Sequence, residues 1–122
     1  MTTKELQELT DWSARKMEYY TDPDANAVWV TSEHTRLFKD SWHPDTDLNQ
    51  CFMLVEKMRE EGWYLTLEYL TTGLIKAGFI CKKPLPNHPQ RVLEYDIEQC
   101  LAILKAAKAT EAAHLKEAAG RL

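Results

Sequence analysis

The change of hydrophobic period at Gly62 constrains this chain more than any other feature. Before it, Leu48, Cys51, Phe52, Val55 and Met58 recur at three- and four-residue spacing, which is one apolar face of a helix. After it, Trp63, Leu65, Leu67 and Tyr69 alternate with Tyr64, Thr66 and Glu68, the period of a half-buried strand. Asp45, Thr46 and Asp47 offer capping oxygens and negative charge to the first turn of the helix. Gly62 suits the left-handed backbone on which a helix stops. Residues 42–70 therefore read as loop, helix, stop and strand.

The rest of the chain is arranged about that unit. A first helix is expected over residues 3–19, opened by a Thr2/Glu5 capping box, with Leu6, Leu9, Ser13 and Met17 inside and Trp12 and Tyr20 alongside. The run Asp22-Pro23-Asp24-Ala25-Asn26 breaks it. Residues 27–31 and 35–39 are strand candidates joined through Ser32-Glu33-His34. Thr71-Thr72-Gly73 reads as a tight hairpin turn, returning a strand over residues 74–82 with Ile75, Ala77, Phe79 and Cys81 on one face. Gly78 in mid-strand suggests a bulge or a close backbone approach.

Three prolines at 84, 86 and 89 make a stiff loop, after which residues 91–95 regain an edge strand. Asp96 then opens a last helix with Ile97, Cys100, Leu101 and Leu104 as its buried stripe. From Ala106 onward only Leu115 is large and apolar, so the Ala-rich end is expected to be helical but poorly anchored. This order of elements describes an α+β domain over residues 1–108 with a helical extension over 109–122.

Composition narrows the function classes. The chain has 122 residues, enough for one domain, and an apolar fraction of 44% argues against general disorder. No apolar run reaches the roughly 18 residues a membrane span needs. The polar, acidic N-terminus is unlike a secretory signal, so a cytoplasmic location is expected. Cys51, Cys81 and Cys100 read as buried reduced thiols. The net charge of −4 is concentrated in residues 1–61, which hold 7 basic against 13 acidic residues. That field opposes binding to a nucleic-acid backbone and favours either plain solubility or a basic protein surface.

Catalytic patterns are weak. His34, His43, His88, His114 and the cysteines share no metal-ligand spacing, no Gly-rich phosphate loop occurs, and no cofactor is implied. Asp45 and Asp47 are explained by capping, although His43 with either of them would be the natural acid–base pair of an enzyme. The aromatics carry more. Trp29 and Trp63 read as core. Trp42, His43 and Tyr64 could stack a base, with Arg36 or Arg91 holding phosphate.

The stretch from Trp42 to Trp63, beginning Trp-His-Pro-Asp-Thr-Asp and closing Glu-Lys-Met-Arg-Glu-Glu-Gly-Trp, resembles the phage ABA-sandwich domain family of small phage and prophage proteins. Ala14-Arg15-Lys16-Met17 is similar to that family's first helix, Trp29 to its early aromatic strand, and residues 100–107 to its Ala-rich end. The proline-rich loop at 84–89 and the tail after Ala109 depart from it. The resemblance implies a small, mostly antiparallel sheet between helices, an α/β/α sandwich, and a phage origin. It implies no reaction. The expected function is therefore a non-enzymatic phage accessory protein that counteracts a host defence component by binding, either a host protein or a nucleotide signal that it sequesters. The alternatives are a small enzyme acting on a phosphorylated molecule and a structural phage protein. A homodimer is expected over a monomer.

Overall fold

A computed structural model describes residues 1–81 and 92–120, the last four of these as backbone only. The elements are α1 (Thr3–Lys16), β1 (Tyr20–Asp22), β2 (Ala25–Val30), β3 (Arg36–Phe38), a 3-10 turn (Lys39–Ser41), α2 (Leu48–Glu60), β4 (Trp63–Tyr69), β5 (Ile75–Cys81), β6 (Leu93–Asp96) and α3 (Gln99–Gly120). The α+β class and the C-terminal helix are as expected. Among the described residues there are two small sheets in place of one, each antiparallel and three-stranded, in the orders β1-β2-β3 and β4-β5-β6. None of the helices is long and apolar enough to cross a membrane among the described residues.

The second sheet carries the main core. Ile75, Ala77 and Phe79 of β5 share one buried cluster with Cys51, Leu54 and Met58 of α2, Leu9 of α1 and a run of α3, with Trp63, Leu65 and Leu67 packed against it. Register between β4 and β5 runs unbroken from Trp63↔Cys81 to Tyr69↔Ile75, so Gly78 marks no bulge. Gly78 instead lies in the central strand, paired to Thr66 on one side and Leu93 on the other. The hairpin turns on Gly73 at φ 90°, closed by the Gly73 N–H to Leu70 carbonyl bond of 3.1 Å.

The smaller cluster lies under the first sheet, where Ala14, Tyr19, Trp29 and Trp42 are buried together. It forms because α1 ends earlier than its sequence suggests. The Glu18 N–H bonds to Arg15 C=O at 2.9 Å and the Tyr19 N–H to Ala14 C=O at 3.0 Å, a Schellman closure with Glu18 at φ 67°. That turn sends Tyr19 inward and starts β1 at Tyr20, an element the breaker motif concealed. Met17 packs against both clusters.

Two helix faces differ from expectation. In α2 the buried arc is Cys51, Leu54 and Met58, while Leu48 is 50%, Phe52 40% and Met53 43% exposed. Apolar residues wrap more than half of this helix, so period alone could not choose the inward arc. In α3 Ile97 precedes the helix and is exposed, and the buried face is Cys100, Ala102, Ile103, Leu104, Ala106 and Ala107. Alanines carry little hydrophobic signal, yet they let α3 sit close to β5. The Ala-rich part is also tied down further than expected, through buried Thr110, a 3.1 Å ion pair from Glu111 to Lys16 and an edge-on Trp63–His114 contact.

The rotation of α2 is testable by chemical denaturation. Leu54→Ala should cost about 2–5 kcal/mol, because a fully buried leucine leaves a cavity. Phe52→Ala should change stability within about 0.5 kcal/mol.

Candidate functional site

The loop before α2 is built for structure. Trp42 is 2% exposed, and its indole N–H donates to Ser13 Oγ at 3.0 Å, whose own hydroxyl donates to the Thr10 carbonyl at 2.6 Å. Tyr19 meets the indole edge-on at 5.2 Å. Gln50 then clamps the loop, accepting from the His43 N–H at 2.7 Å and donating to the Ser41 carbonyl at 2.7 Å. Asp47 is the N-cap, accepting from the Gln50 N–H at 3.1 Å. Asp45 contributes its charge near Cys100 instead of a cap bond.

The residues proposed for nucleotide binding are not brought together. Trp42 is core and has no free face to offer a base, which corrects the stacking role. His43 is exposed beside Trp42, its Nδ1 3.1 Å from the Thr46 hydroxyl. Tyr64 lies past the other end of α2, near Arg59; a helix of 13 residues puts these ends roughly 20 Å apart. Arg36 neighbours Leu37, which packs toward Trp42, so Arg36 points to the opposite face of the first sheet. There it pairs with Asp22. Arg91 lies outside the described residues, as do the proline-rich loop and His88.

Cys51 and Cys100 are core groups, whereas Cys81 at the end of β5 is only half-buried. Burial pushes the Cys51 thiol well up, with Cys100 beside it adding to the shift, and burial raises Cys100 as well. Among the described residues no three His, Cys, Asp or Glu side chains gather as a metal site.

What the fold does assemble lies on the face of α2 turned away from the core. Phe52 and Met53 line a groove of about 520 Å³, joined by Met17 from the end of α1. The same lining carries Glu18, Glu56 and Glu60 against Lys57, with Ser32 of the β2–β3 turn. Sequence reasoning missed this site because Phe52 was assigned to the buried stripe. The usable signal was the excess of apolar residues on α2, more than one buried arc can hold.

One of two backbone outliers, Glu18, lines the groove. Glu18 at φ 67° and His34 at φ 64°, two residues beyond Ser32, are the left-handed non-glycine positions among the described residues. By contrast α2 stops on Gly62 at φ 93°, the residue that suits the role. Left-handed backbone costs a side-chain-bearing residue about 1–2 kcal/mol. Glu18 recovers little of that from its 3.3 Å pair with Lys57, since an exposed ion pair contributes about 0–1 kcal/mol.

Behind the Glu18–Lys57 pair lies a second polar assembly. The Lys16 ammonium, largely shielded from solvent, reaches Glu61 at the end of α2 and Glu111 of α3, so one cation ties three helices. Burial alone would lower its pKa, but the two carboxylates outweigh this and hold it above its ordinary value.

Neither a family model, nor a curated protein, nor a solved structure matches this chain.

The engagement of Arg36 has a measurable signature. The Asp24 N–H, 2.8 Å from Asp22 Oδ1, and then Arg36 hold the Asp22 carboxyl below its usual range. A depressed carboxyl adds stability above its unfolded pKa and loses it as pH falls through the folded one. Thermal melts of Asp22→Asn should therefore lose less stability than wild type between neutral pH and about pH 3.

Proposed function

We propose that this is a non-enzymatic phage accessory protein that acts by binding a host protein, a defence component that it counteracts. The observation that carries the reading is the outer face of α2, where Phe52 and Met53 stand exposed in a groove instead of joining the core. Contiguous exposed apolar surface with a polar rim is what protein-contact sites present. The acidic balance of residues 1–61 supports a basic counterpart. The phage setting and the defence target rest on the resemblance of residues 42–63 to the phage ABA-sandwich family. Dispersal of Trp42, His43, Tyr64 and Arg36 favours a protein partner over a sequestered nucleotide.

Affinity capture from extracts of host bacteria, with wild type and Phe52→Asp as paired baits, tests this. One polypeptide should be retained in near-equal amount by wild type and lost by the variant, at unchanged melting temperature. A small molecule released intact from the denatured protein would replace this reading with sequestration. The same molecule recovered chemically altered would replace it with an enzyme.

A further inference from the structure

The groove beside α2 is lined by acidic and apolar side chains, and one of the acidic residues, Glu18, is held where local stability disfavours it. Three carboxylates, Glu18, Glu56 and Glu60, face one ammonium, Lys57. Glu56 is engaged by Arg59, and Glu18 by Lys57. Met17 and Met53 are unbranched and adapt to irregular apolar guests. Glu18 occupies the position after the helix end that glycine ordinarily takes. Its backbone bonds would be kept by glycine, so only the carboxylate is particular to glutamate. That carboxylate stands on the ridge between the groove and the Lys16 assembly, since Glu18 and Lys57 border both.

We infer that the groove takes a basic amphipathic segment of the partner protein, whose apolar side chains enter over Phe52 and Met53 while a lysine or arginine displaces Lys57 from Glu18. This rests on the protein-binding reading above and names its partner's chemistry. Glu18 is then a specificity-determining residue. Its strained backbone is kept because the charge must sit in the groove lining, as strained positions cluster where function needs them. Glu56 and Glu60, one and two helical turns along from Phe52, extend the acidic track for further basic residues.

The test uses the full chain with two synthetic amphipathic peptides of about 15 residues, one built of leucine and lysine and its counterpart of leucine and glutamate. Fluorescence anisotropy should show the leucine–lysine peptide binding in a salt-dependent way and the leucine–glutamate peptide failing to bind. Glu18→Gly should raise the melting temperature by a few degrees yet weaken the leucine–lysine peptide about tenfold, the loss of one charged contact. Glu18→Gln keeps the strained backbone, so it should show the same affinity loss without the thermal gain. Phe52→Asp should abolish binding. Equal affinity of wild type and Glu18→Gln, equal binding of the two peptides, or no binding of either overturns the inference. In each of those cases, host-protein capture that still depends on Phe52 leaves the broader reading intact, and capture independent of Phe52 removes that reading separately.

Discussion

The burial of one indole fixes much of this molecule. Trp42 can enter the interior only if its N–H finds an acceptor, because an unpaired buried donor costs about 1–3 kcal/mol. Ser13 provides that acceptor from the middle of α1. The bond pins the loop before α2 to α1 and fixes the azimuth at which α2 begins. Gln50 and Asp47 then lock the same loop from the helix side. With its start held by Trp42 and its end by Gly62 and Lys16, α2 presents Leu54 to the main core and Phe52 to solvent.

Features governed by local chemistry were legible in the sequence. The Thr2 cap, the Asp47 cap, the Gly62 stop, the Gly73 hairpin and the β4–β5 alternation each depend on residues within a few positions of one another. Features governed by distant partners were not. Nothing in the spacing of Ala102, Ala106 and Ala107 says that α3 lies against β5, because alanine is compatible with either side of a helix. The end of α1 was misplaced because its left-handed residue is glutamate and not glycine. The division into two sheets was hidden for a similar reason: strand period sets which side chains share a face, and not which strand lies alongside.

The candidate site was obscured in the same way. Trp42 has the composition of a binding residue and the surroundings of a core residue, while Phe52 has the reverse. Their roles are exchanged by the orientation of one helix, which is decided by the fit of Leu54 and Met58 against α3 and the second sheet. Of the residues that suggested a stacking platform, Trp42 is spent inside, beside Trp29 and Tyr19.

Met17 has a wider meaning than its size suggests. Lying where the two buried clusters meet, it joins the packing beneath two sheets that share no hydrogen-bonded strand among the described residues. Both clusters draw on α1, through Leu9 in the main core and Ala14 in the smaller one. A rearrangement of Met17 in the groove lining therefore reaches the packing of both clusters.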